Sequence, residues 1–310
     1  ITRHLLSPGI VDASANSSFN SLQLPVKKAL EAAAYFNHEY APNANLRINY
    51  GIRFTSFSLL GPGNFNTYDS ASNILQTITK TDNSAVKTYF NPEPRFSASW
   101  LLNPLSSVKA SYTRNVQNLH LLSNSAAINP TDIWIPSSLQ VKPEIADQVA
   151  IGYYANDKQF AFDFFVEAYY KWMQNQVDYK NGAQLRANEN VESQLLFGTG
   201  RAYGLEWFLK KKTGKLTGWI SYTLARTERS VPGINNGNWY PARQDQTHNI
   251  AIVGIYQTNS RWTISANWVY NTGNAVTFAS GKYRLNGQNV YYYTERNGYR
   301  FPAYHRLDLA

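Results

Sequence analysis

The chain has 310 residues, enough for one large or two ordinary domains. It has no cysteine, which excludes a disulfide framework, a thiolate metal site and a cysteine nucleophile. No run of about 18 apolar residues is present, which excludes a transmembrane helix. A net charge of +9 admits anionic partners, either acidic lipid headgroups or a small solute. Nucleic acid is not expected, because no Lys/Arg cluster is interleaved with a binding motif; the densest run, 210–212, reads as a turn. The mean hydropathy of −0.42 leaves a membrane open, since a barrel strand shows only alternate residues to lipid. The 22 Tyr and 8 Trp are of the kind that gather where an apolar zone meets water.

In chain order, residues 26–36 show the best helical spacing but also read as a strand. In LRINYGIRFTSFSLL (46–60), Leu46, Ile48, Tyr50, Ile52 and Phe54 alternate with Arg47, Asn49, Gly51, Arg53 and Thr55. A period of two gives a strand with one apolar and one wet face. RFSASWLL (95–102) and VKASYTRN (108–115) behave likewise. In FDFFVEAYYKW (162–172), Phe162, Phe164, Val166, Ala168, Tyr170 and Trp172 share one face, with Asp163, Glu167 and Lys171 on the other. YGLEWFLK (203–210), LTGWISYTL (216–224) and RWTISANWVYN (261–271) repeat the pattern, and YHRLDLA (304–310) reads as a last strand. About eleven such segments, each of about 9 to 14 residues, make an all-β chain.

The connections alternate. Short ones lie at 41–45, 103–107, 155–158, 211–215 and 257–260; long polar ones lie at 61–93, 123–144, 175–200, 229–246 and 273–303. In an up-and-down sheet this puts every short turn on one side and every long loop on the other, as in outer-membrane barrels. A β-sandwich or a propeller predicts shorter strands and no such rhythm. A long open sheet with a bare apolar side aggregates, so closure is expected. The chain opens on Ile1 without an initiator Met or signal peptide and stops inside a strand-like segment, so it reads as an excerpt whose missing strands lie outside it.

Several stretches carry a family resemblance: NYGIRF (49–54), LQVKPEIADQVAIGYY (139–154), FVEAYYKWMQNQVDY (165–179), GRAYGLEWFLKKKTGKLTGWISYTLARTER (200–229), WYPARQDQTHNIAIVGIY (239–256) and RNGYRFPAYHRLDL (296–309). Together they resemble the barrel of TonB-dependent outer-membrane receptors of the kind common in Bacteroidetes. The resemblance implies a transmembrane antiparallel up-and-down barrel of 22 strands with an N-terminal plug. Residues 1–310 would form part of that single barrel domain, in its C-terminal part, with neither the plug nor a TonB-contacting segment among them. It also implies import of a scarce nutrient (siderophore, cobalamin, glycan or peptide) driven by TonB through the plug. Rivals are an accessory barrel in a larger outer-membrane assembly and an ungated porin or adhesin. Expected partners are outer-membrane lipid, lipopolysaccharide, TonB and a surface lipoprotein or other outer-membrane protein.

No catalytic constellation is visible. His4, His38, His120, His248 and His305 are scattered without ligand spacing, no phosphate-cradling glycine loop is present, and neither a metal nor another cofactor is expected. The wet faces give a lumen-facing set, Arg47, Arg53, Lys109, Asp163, Glu167, Lys171 and Glu206, read either as hydrated wall and plug contacts or as a guide for a charged solute. The long loops give a solute-binding set of aromatics beside basic groups: Trp134, Trp239, Tyr240, Arg243, Tyr291, Tyr292, Arg296 and Arg300. For Trp239, Tyr240, Tyr304 and their neighbours the alternative is an outer aromatic girdle at strand starts, which Pro241 and Pro302 suit, with Arg binding lipopolysaccharide phosphates.

Overall fold

The computed structural model describes residues 1–7, 10–11, 22–122, 132–157, 161–183, 185 and 188–310. Twelve strands follow one another in a single antiparallel path: β1 (Thr2–Leu6), β2 (Lys27–Asn43), β3 (Leu46–Leu60), β4 (Ala85–Asn103), β5 (Ser106–Gln117), β6 (Glu144–Asp157), β7 (Phe162–Tyr179), β8 (Leu195–Lys211), β9 (Leu216–Ser230), β10 (His248–Gln257), β11 (Thr263–Asn271) and β12 (Tyr304–Leu309). Each pairs only with its sequence neighbours in the path, and the short strand Tyr240–Pro241 pairs with β9 off it. This is the up-and-down order expected from the alternating connections.

The register turns period-two sequence into two continuous faces. One cross-strand row runs Ile48, Ala98, Ala110, Ile151, Ala168, Leu205, Leu224. A parallel row runs Phe164, Leu209, Ile220, Ile252, Trp268, Leu307. Among the described residues no layer of protein covers these side chains: Ile151 is 58% exposed and Ile220 is 44% exposed. An apolar band this wide needs a hydrocarbon neighbour. The opposite face carries the row Arg47, Ser99, Lys109, Gly152, Glu167, Glu206, Thr223, Asn249. Arg53, Asp163 and Lys171 fall on that same polar face by the register of β3 and β7.

The structure departs from the sequence reading in four respects. Among the described residues the path holds twelve strands where about eleven were expected; Thr2–Leu6, paired with residues 27–31, is one of them. Several strands run 15 to 19 residues, past the 9 to 14 expected. β4 starts at Ala85, β7 ends at Tyr179 and β8 starts at Leu195, all inside stretches read as loops. The cause is backbone pairing: a hairpin continues while both chains stay matched, whatever the polarity of the side chains. Lys210 and Lys211 lie at the end of β8 rather than in a turn, with Lys210 opposite Asp163; Lys212 then donates to Asp163 at 2.7 Å.

The long connections are not bare loops. Gly63–Tyr68 pairs with Ile74–Lys80, Leu119–Leu122 with Ile133–Pro136, and Gly281–Leu285 with Gln288–Tyr292. Leu122 and Ile135 of the second pair pack with Val141, Leu185 and Val191 of the connections and with Val177 and Leu195 at the upper ends of β7 and β8, and Val231, Ile234 and Tyr240 form a second cluster.

Candidate solute-binding mouth

Above the polar face, at the long-loop end, lies a cavity of about 660 Å³. Its wall side is set by the row Asn115, Ala146, Met173 and by Lys171, residues that face inward because β5, β6 and β7 keep their register to their upper ends. Its upper side is set by Gln176 and Asp178 at the end of β7, Arg229 at the end of β9, and Arg243, Asn274 and Arg296 of the connections. Cations, carboxylates and amides therefore line one space together.

Arg296 organises the upper side. It is buried, donates from Nη1 to Asp178 Oδ1 at 2.8 Å, and donates from Nη2 to the Tyr179 carbonyl and to Asn181 Oδ1, each at 2.9 Å. Its guanidinium stacks on the Tyr179 ring at 4.2 Å. Its backbone is held from a third loop: Asn235 Oδ1 accepts from the Arg296 amide, and Asn235 Nδ2 donates to the Arg296 carbonyl. The second Asp178 oxygen accepts from the Tyr240 hydroxyl at 2.7 Å. Burial, and next the Asp178 carboxylate, push the Tyr240 phenol well above the ordinary tyrosine range, so it stays a donor.

The expected solute-binding set divides. Arg243 and Arg296 line the cavity. Tyr240 does not face solvent as an exposed loop or girdle aromatic: it is 2% exposed, because the loop cluster of Val231 and Ile234 closes over it. Arg300 pairs with Asp245 and donates to the carbonyls of Asp245 and Gly273, closing the base of its own loop. Trp134 is exposed on the strand Ile133–Pro136. Trp239 is exposed under the Arg201 guanidinium, and Tyr291 and Tyr292 are exposed on the projecting hairpin.

On the wall, Arg47 pairs with Glu39 at 3.1 Å, and Arg53 lies 3.8 Å from Glu93, which also accepts from Thr55. The Lys109 ammonium sits 4.2 Å from the Tyr154 ring centre, whose hydroxyl donates to Glu167 at 2.6 Å. Glu167 and Glu206 stand directly opposite each other. Among the described residues no group of three or more His, Asp or Glu side chains is placed to hold a metal.

Sequence reasoning missed Asp178, Asp245 and the pair His120–Glu144. His120 is buried with Nε2 3.1 Å from Ser137 Oγ, and its Nδ1 lies 3.8 Å from Glu144. The available signal was a lone acid beside an aromatic at a strand end, as in VDYKN.

The family model described as TonB dependent receptor-like, beta-barrel, matches residues 7–310. The chain belongs to the TonB-dependent receptor family. Its members are outer-membrane β-barrel transporters rather than enzymes. Among solved structures, the FrpB iron transporter from Neisseria meningitidis is 14% identical, with a TM-score of 0.58 over 93% of this chain and 39% of its own. The ferric-catecholate import receptor Fiu from E. coli K12 is 15% identical, with a TM-score of 0.58 over 92% and 44%. The copper transporter OprC is 13% identical, with a TM-score of 0.60 over 94% and 40%. At these identities the likeness is one of fold, and the chain spans less than half of each of these relatives. No curated protein sequence matches the chain. In a TonB-dependent receptor barrel the short turns face the periplasm and the long loops face outward, which puts the cavity at the outer mouth.

Proposed function

We propose that this TonB-dependent receptor barrel supplies the later wall strands, and much of the outer mouth, of a 22-strand importer of the Bacteroidetes kind. The mouth holds a scarce solute, and a plug outside residues 1–310 gates its passage when TonB acts on it. The observation that carries the reading is the cavity itself: a space of about 660 Å³, lined by Lys171, Arg229, Arg243 and amide side chains, directly above a polar wall. A binding chamber at the outside end and a hydrophilic path below it are what uptake requires. The polar-face residues Arg47, Arg53, Lys109, Asp163, Glu167, Lys171 and Glu206 line that path. The opposed carboxylates Glu167 and Glu206 suit a cationic side chain of the plug.

The test is uptake by the full-length receptor in cells. Arg243→Glu with Lys171→Glu reverses two charges at the mouth, and uptake of the cognate solute should fall about tenfold or more at unchanged outer-membrane abundance. The solute is found by growing a deletion strain on iron, cobalamin, peptide or glycan sources. Unchanged growth on all of them contradicts nutrient import. One feature favours a second reading, a barrel whose loops grip a partner such as a surface lipoprotein: the hairpin of residues 281–292 projects Tyr283, Leu285 and Tyr292 uncovered.

A further inference from the structure

At its upper end β7 outruns β6. The last β6–β7 pair is Ile145 with Gln174, and at Asn175, whose φ is 56°, the register to β8 shifts. Past that bulge the Val177 amide has no β6 carbonyl opposite it and donates instead to Glu144 Oε1 at 3.1 Å. The Glu144 side chain thus takes over from the ladder and satisfies a buried backbone group. The Val177 carbonyl accepts from Arg229 Nη1 at 2.9 Å. Gln176, Val177 and Asp178 all line the cavity, so a movement of the Glu144 carboxylate alters the wall of the mouth.

His120 is placed to cause that movement. It sits on the strand Leu119–Leu122, is 2% exposed and lines the same cavity. Its Nε2 lies 3.1 Å from Ser137 Oγ, and the Ser137 amide is itself fixed on the Asn118 carbonyl at 2.8 Å. Its Nδ1 lies 3.8 Å from Glu144 Oε1, too far for a hydrogen bond, and has no other partner among the described residues. A neutral ring leaves this side unsatisfied: it turns either a bare lone pair toward the carboxylate or an N–H that falls short of it. An imidazolium donates from both nitrogens, and its bond to a carboxylate is charge-assisted. Closing the gap by about 1 Å draws Oε1 off the Val177 amide. Arg229 acts on the same carboxylate, and Asp132, Lys171, Asp178, Arg243 and Arg296 line the cavity. Asp178 is held by Arg296 and Tyr240, and Glu192, which accepts from Ser138 beside Ser137, is held by Lys27. Glu144 is the carboxylate that reaches the ring.

We propose that His120 and Glu144 form a pH-sensitive latch on the outer mouth. When His120 is neutral, Glu144 holds the Val177 amide and the upper end of β7 is fixed. When His120 takes a proton, it captures Glu144, the Val177 amide is released, and the wall formed by Gln176, Val177 and Asp178 loosens. Imidazole is the side chain that changes charge between about pH 5 and pH 8, so the outside medium sets the state of the latch. The latch rests on the reading of this cavity as the solute-binding mouth and gives that mouth a regulation.

The experiment follows amide hydrogen exchange over residues 174–179 of the full-length receptor in nanodiscs, from about pH 8 to about pH 5, corrected for the intrinsic pH dependence of exchange. In the native receptor the corrected rate at Val177 should rise about tenfold on acidification, with its midpoint inside that interval, while the wall strands stay protected. His120→Gln keeps a donor for Ser137 without a titrating group, and Glu144→Gln keeps an acceptor for Val177 without a charge; both should give a flat profile. Glu192→Gln should keep the native profile. A flat profile in the native receptor, a native profile in His120→Gln or Glu144→Gln, or a flat profile in Glu192→Gln overturns the latch. Solute uptake is not read in any arm, so failure here leaves the import proposal standing.

Discussion

Arg296 uses its donors on Asp178, Tyr179 and Asn181, while Asn235 clasps its backbone, so a single side chain ties three outer loops together. Removing one partner of a buried ion pair leaves the other charge uncompensated, at about 3–5 kcal/mol. Arg296→Ala should therefore speed amide exchange across residues 175–183 and 231–239 in the full-length receptor while leaving the wall strands protected. Unchanged exchange would show that the pair does not hold the loops. Tyr240 adds a pH dependence. Its folded pKa is raised, so its contribution is complete below the unfolded tyrosine value of about 10 and is lost as pH rises above it. Loop protection should fall in that alkaline range, and Tyr240→Phe should abolish the dependence while costing about 1–2 kcal/mol through the unpaired Asp178 oxygen. Neither role was legible in the sequence. Tyr240 and Arg296 meet Asp178 across 62 and 118 positions, and a polar loop gives no local sign that another loop will bury it.

Strands were the most legible elements, because register carries a period of two from one neighbour to the next. The alternation in Leu46–Leu60 sets which residues of β4 share its apolar face, and so on around the wall. Strand ends were less legible, since pairing in β4, β7 and β8 outlasts the apolar pattern. The two faces should respond differently to one charge. Ile151→Arg places a guanidinium in the middle of the apolar row between Ala110 and Ala168, and should cost about 2–4 kcal/mol in urea titrations of refolding into vesicles. Ser111→Arg, on the polar face one residue along β5 from Ala110, should cost under about 1 kcal/mol. Equal losses at the two sites would mean that the faces are not solvated differently.

At the scale of the molecule, the fold separates three surroundings with one sheet: hydrocarbon on the apolar rows, water on the polar rows, and the outside medium at the loop cavity. The short-and-long rhythm of the connections was enough to anticipate the architecture, and the family was legible in stretches such as WYPAR and GRAYGLEWFL. The mouth was only half legible. Arg243 and Arg296 were found through their basic, aromatic-rich context, whereas Gln176 and Asp178 join them because β7 stays paired with β8 past the expected strand end, and Asn274 through tertiary packing of the connections. Spin labels at Ile48, Phe164 and Ile264, compared with labels at Asn49 and Ser265, in the full-length receptor reconstituted in bilayers, test the placement of the sheet most directly. High collision rates with oxygen and low rates with a polar relaxant at the first three sites, reversed at the other two, are expected; polar-relaxant access equal on both faces, or labels immobilised against protein at all five sites, would contradict a lipid-facing wall.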